Sequence, residues 1–115
     1  MAINRQNAGP RMSAAVVHGN TAYLAGQVAS DPSVGTKEQT QQVLEKIDKL
    51  LASVGSDKSK LLSATVYLAN MSTFAEMNAA WDAWVTPGQT PARATVEARL
   101  AQPKFLVEIM VIAAI

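Results

Sequence analysis

Two stretches of this chain carry side chains able to do chemistry. "TPARATVEARL" sets Arg93, Thr95, Glu97 and Arg99 at alternate positions, with Ala94, Val96, Ala98 and Leu100 between them. Alternate residues of an extended strand share a face, so this segment aligns two cations, a hydroxyl and a carboxylate. "FLVEIMVIAAI", from Phe105 to Ile115, is apolar except for one carboxylate, Glu108. Taking a carboxylate out of water costs several kcal/mol unless a partner offsets it. Glu108 must therefore reach solvent or meet a cation or hydrogen-bond donors. The two segments are consecutive and read as paired strands. Arg93 and Glu108 then have two readings: a cross-strand ion pair on a solvated face, or a guanidinium fork presented to the carboxylate of a ligand.

Other reactive residue types offer less. His18 is the single histidine and lies beside a turn, which rules out a histidine-based triad or a multi-histidine metal site. Ser13 and Thr95 would need a neighbouring base to act as nucleophiles, and the sequence places none near them. Trp81 and Trp84 fall on one helical stripe and read as core packing. Asp31, Asp48, Asp57 and Asp82 are scattered, without metal-ligand spacing. Lys46 and Lys49 alternate with Glu45 and Asp48, as on a solvated helix face. There is no glycine-rich phosphate loop.

The elements that must position these residues follow from hydrophobic period and turn signals. "AAVVHGNTAYLAGQV" is two apolar runs split by "HGN", a hairpin in which Gly19 and Asn20 can take positive φ. "ASDPSVG" is loop. "TKEQ" spaces Thr36 and Gln39 as a capping box. Val43, Leu44, Ile47, Leu50, Leu51 and Val54 then recur at helical spacing up to Gly55, a helix of about five turns. "LLSATVYLAN" is a strand. "STFAEMNAAWDAWV" is a second helix, capped by Thr73 and Glu76, with Phe74, Met77, Trp81, Trp84 and Val85 buried. After "TPGQTP" come the two chemistry-bearing strands. The order ββαβαββ predicts a small α+β sheet with both helices packed on one face.

The terminal strand is apolar on both parities: Val107, Ile109, Val111 and Ala113 on one, Met110, Ile112 and Ala114 on the other. Such a strand is buried on both faces, yet two helices cover only one. A second copy of the chain is the simplest cover for the other, so the pattern predicts a homo-oligomer.

A length of 115 residues fits one domain, residues 1–115, with a real core, and 49% hydrophobic residues argue against disorder. Ten Lys and Arg against nine Asp and Glu leave a net charge of +1, which gives nucleic acid or an anionic membrane no long-range attraction. No cysteine is present, which excludes thiol chemistry and disulfides. The polar start "MAINRQNAGPRMS" does not resemble a signal peptide, and no apolar run approaches the roughly 18 residues of a membrane span. The expectation is a cytoplasmic protein without a membrane or nucleic-acid partner.

Together "YLAGQV", "FAEMNAAWDAW", "TPARATVEARL" and "VEIMVIAAI" resemble the Rid/YjgF family of reactive-intermediate (enamine/imine) deaminases, from about Arg11 onward. The resemblance implies a chorismate-mutase-like α+β fold, a homotrimer and clefts between subunits. It implies that Arg93 binds the carboxylate of a small 2-imino acid and that Glu108 helps place the attacking water. Gly26, Thr95 and Asn78 fall where the family lines its cleft. The implied activity is hydrolysis of 2-imino or enamine acids, such as 2-aminoacrylate and 2-iminopropionate, to 2-oxo acids and ammonia, with no metal or organic cofactor. Two departures stand out. Many deaminating members carry a cysteine where this chain has Thr95, and a tyrosine near the segment that here reads "PRMS". Arg11 in that segment offers a second cation, suited to a larger or more acidic ligand. These departures leave open another imine, or a small-carboxylate binding or regulatory protein without turnover. An endoribonuclease or translation inhibitor, a label some relatives carry, fits least: there is no basic stripe and no histidine pair.

Overall fold

The computed structural model describes residues 1–115. A hairpin of β2 (Ala15–His18) and β3 (Thr21–Leu24) forms where the sequence placed it, turning at Gly19 with φ +62°. Helix α1 (Thr36–Ser53) leads to β4 (Leu61–Leu68), helix α2 (Phe74–Trp84), β5 (Ala92–Glu97) and β6 (Val107–Ala114). Ahead of them lies a strand the sequence did not announce, β1 (Ile3–Gln6), antiparallel to β2. The order is therefore βββαβαββ. "INRQ" carries no apolar alternation because β1 is an edge strand exposed on both faces.

The six-stranded sheet runs β1-β2-β3-β6-β4-β5, and only β4 and β5 are parallel. This corrects the expected pairing of the last two strands: β5 lies at the edge beside β4, while β6 sits between β3 and β4. The physical reason is twofold. Helix α2 between β4 and β5 is a crossover that returns the chain parallel to its starting strand. Strand β6, apolar on both parities, takes a central position, and β5, with polar residues on one parity, takes the rim.

Both helices pack on one sheet face. Val43, Leu44, Ile47 and Leu51 of α1 meet Val66, Leu68, Val107, Ile109 and Val111 of the sheet in one buried cluster with Met77 and Trp81. Each such aliphatic side chain stabilises the fold by about 1.5–3 kcal/mol on burial. Leu50, Val54, Trp84 and Val85 pack against this cluster from its margin, and Phe74 is exposed. The opposite face is open, with Tyr23, Val96 and Met110 between 38% and 46% exposed. No helix is long and apolar enough to cross a membrane.

The helix starts differ from the expected capping boxes. Gly35 is the N-cap of α1, and no side chain caps it. Thr36 is already helical and buried, its hydroxyl without a partner. Gln39 is fully buried and turns its amide to two loops instead. Its Nε2 donates to the carbonyls of Pro32, Val34 and Lys104 at 3.1, 3.0 and 3.0 Å, and its Oε1 accepts from the Leu106 amide at 3.0 Å. Thr73 precedes α2 without capping it; its hydroxyl donates to the carbonyl of Asn70.

Candidate functional site

Strand register decides which side of the sheet each candidate residue occupies. Ala64 of β4 pairs with Arg93 on one side and Val111 on the other, so Arg93 shares the helix-covered face. Tyr67 pairs with Val96 and Glu108, so Glu108 lies on the open face. Arg93 and Glu108 thus occupy opposite faces, with β4 between their strands, and form no ion pair. The single ion pair of the chain joins Lys49 and Glu45, at 3.9 Å, both well exposed. A cross-strand Arg93–Glu108 bridge is excluded within one chain.

On the helix side, Arg93 is half-buried against α2. Its guanidinium carbon lies 5.1 Å from the centre of the Trp81 ring, and Nη1 approaches the Met77 sulfur at 3.8 Å. Trp81 belongs to the core, as its spacing suggested, and also faces this cation. Thr95, two residues along the same face, has a buried hydroxyl with no hydrogen-bond partner. Asn78 is half-buried on α2, one residue beyond Met77. Arg93 and Thr95 thus place a fork of donors and an unsatisfied hydroxyl on one sheet face, groups of the kind that bind a small carboxylate.

On the open face, Glu108 extends over Gly26. A Cβ at Gly26 would stand 3.0 Å from the Glu108 Cδ and 3.2 Å from its Cγ, so a side chain there would displace the carboxylate. Two backbone hydrogen bonds between Gln27 and Ile109, 2.9 and 3.1 Å, fix Gly26 beside β6. Glu108 opens into a cavity of about 290 Å³ shared with Tyr67, Arg99 and Met110. A larger cavity, about 680 Å³, adjoins it along Ala98–Ala101 and is lined by Glu97, Gln102 and Phe105.

The sequence reading therefore names residues on two separate faces, Arg93 and Thr95 on the helix-covered one and Gly26 and Glu108 on the open one, with Asn78 on α2. Arg11 joins neither through an ion pair; it is exposed in the loop between β1 and β2. Arg99 was expected on the Arg93 face, but β5 ends at Glu97. The chain then turns, and Arg99 lines the Glu108 cavity instead. Tyr67 was missed as well. Its signal was present in the alternation of β4, where Ala64, Val66 and Leu68 are buried and Tyr67 must face away.

A family described as Endoribonuclease L-PSP matches residues 3–115 of the chain. A RutC family protein of Haemophilus ducreyi is 52% identical, covering 98% of this chain and 97% of its own. The RutC family protein YoaB of Escherichia coli is 46% identical over the full length of both. Among solved structures, NMB1025 of Neisseria meningitidis, a member of the YjgF protein family, superposes with a TM-score of 0.96 at 47% identity, covering 99% and 95% of the two chains. By sequence along nearly its whole length, and by fold, the chain belongs to the YjgF/RutC (Rid) family.

Proposed function

We propose that the protein is a homotrimeric hydrolase of reactive 2-imino and enamine acids, with a site assembled between copies. Arg93, Thr95 and Asn78 come from one copy, and Glu108 and Gly26 from its neighbour. The observation that carries this reading is the pair of uncompensated charges on opposite faces of one chain. The Arg93 guanidinium is half-buried without a carboxylate, and the half-buried Glu108 carboxylate has no cation paired to it. A neighbour laid over the open, partly apolar face supplies the missing half of each site and covers Tyr23, Val96 and Met110.

The chemistry suits so sparse a set of groups. Arg93 holds the substrate carboxylate through a bidentate, charge-assisted pair. Glu108 orients a water at the imine carbon and takes its proton as the C–O bond forms. The C=N electron pair moves to nitrogen, which is protonated, giving a carbinolamine. That intermediate loses ammonia and yields the 2-oxo acid. An imine is already electrophilic, so orientation contributes more than nucleophile strength.

Two other readings each have one observation in their favour. Thr95, in the place of the cysteine that the resemblance implies, favours a carboxylate-binding protein without turnover. The family's description favours RNA cleavage, but the single histidine, His18, is exposed beside the Gly19 turn and the ten basic residues are interleaved with nine acidic ones. The test is to generate imines in situ with an amino-acid oxidase and to follow their loss with and without the protein. Accelerated loss, from a particle about three times the chain mass by light scattering, is the expected result. A monomer, or binding of 2-oxo acids without any acceleration, would remove the enzymatic reading.

A further inference from the structure

We infer that Trp81 is a positioning residue for Arg93, holding its guanidinium on an aromatic face so that no strong acceptor occupies the N–H donors a carboxylate would use. The inference rests on the reading of Arg93 as the carboxylate-binding group and adds the means by which it is kept ready.

An arginine side chain is long and loses substantial rotamer freedom when fixed. The usual way to fix one is an ion pair with a carboxylate, but that occupies the fork a ligand would need. Arg93 is held otherwise. Its guanidinium carbon stands 5.1 Å from the Trp81 ring centre, inside the roughly 6 Å reach of a cation–π contact. The other contact, to the Met77 sulfur at 3.8 Å, uses a weak acceptor. Neither competes strongly for the donors.

The platform is itself rigid. Trp81 is 5% exposed and packed in the core. Trp84 lies against it, ring centres 5.5 Å apart and planes tilted by 55°. The Trp84 Nε1 donates to Asp48 Oδ2 of α1 at 3.0 Å. Asp48, Trp84, Trp81 and Arg93 thus form a continuous brace from the first helix to the edge strand. Cation–π attraction strengthens on desolvation, which this partly buried setting supplies.

The test measures pyruvate affinity by calorimetry and imine loss on the trimer. Trp81→Leu is expected to weaken pyruvate binding and raise KM by roughly 3- to 30-fold, and Trp81→Phe to restore most of that loss. In an Arg93→Ala background, Trp81→Leu should have no further effect on either reading. Because Trp81→Leu also alters the core, a second series keeps the shape constant. In a Trp84→Phe protein, Trp81 is replaced biosynthetically by increasingly fluorinated tryptophans, which drain charge from the ring face. Affinity should fall stepwise with fluorination, and the trend should vanish with Arg93→Ala. A flat fluorination series, or equal losses with and without Arg93, overturns the inference while leaving Arg93 itself untouched. An Arg93→Ala protein that binds pyruvate and clears imines normally overturns the underlying reading instead.

Discussion

The Glu108 carboxylate rests against Gly26 at a distance that leaves no room for a side chain on residue 26. Gly26 is not among the residues with positive φ, so alanine would suit its backbone. The three atoms nearest an added Cβ all belong to Glu108. Gly26→Ala is therefore expected to push the carboxylate aside and leave the fold intact. A misplacement of about 1 Å at a reacting group costs roughly 100-fold, so imine turnover should fall by about 10- to 100-fold. Melting temperature measured on the same preparation should change little. A fully active Gly26→Ala protein would mean that the position of Glu108 does not matter.

If Arg93 and Glu108 of different copies share one site, two inactive variants should repair each other. Arg93→Ala and Glu108→Gln chains, unfolded together and reassembled at random, would give a complete site at roughly one interface in four. Activity should recover to about a quarter of the unaltered level, whereas folded trimers merely mixed should stay inactive until subunits exchange. No recovery after reassembly would mean that the two residues do not complete one site across copies.

Gln39 predicts a stability effect. Its amide joins the loop at Pro32–Val34 to the chain at Lys104–Leu106, which enters β6 one residue before Glu108. Gln39→Leu keeps similar volume but leaves partly buried backbone groups without this partner, at up to about 1–3 kcal/mol for each group that water cannot reach. The melting temperature should drop by roughly 10 °C or more. Pyruvate affinity, proposed above to rest on Arg93, should survive below the transition.

Asp57 sets an acid-side prediction. Its carboxylate accepts from the hydroxyl and the backbone N–H of Ser59, which holds its pKa below the usual 3.8. A folded-state pKa below the unfolded value stabilises the fold above the unfolded value, and this contribution fades as pH falls through the folded value. Asp57→Asn should therefore flatten the loss of stability below about pH 4. Thermal melts from neutral to strongly acid pH would show it, and unchanged acid-side slopes would contradict it. Asp57 is exposed, so the difference should be small.

The parts of this fold legible in the sequence were those governed by local period. Val43, Leu44, Ile47 and Leu51 mark α1, Gly19 marks the hairpin, and the apolar alternation of β6 marks it as a strand. What escaped depended on contacts distant in sequence. Strand β1 is defined only by its pairing to β2. Gln39 reads as a capping residue until the loops at Pro32 and Lys104 converge on it. For the site, residue types pointed to Arg93 and Glu108, but chain adjacency suggested a pairing that the α2 crossover forbids. Parity alone could not reveal opposite faces, because that requires knowing that β4 lies between the two strands.

The central place of β6 also bears on how the chain comes together in time. The sheet order leaves β3 and β4 without a hydrogen-bonded link except through β6, the last of the six strands to be synthesised. During translation the hairpin half and the helix-bearing half would wait, each with an open strand edge that could pair wrongly. Closure depends on contacts far apart in sequence, which slows folding. A nascent chain stalled before Val107 should stay sensitive to protease and prone to bind chaperones, and one released with β6 complete should become resistant in a single step.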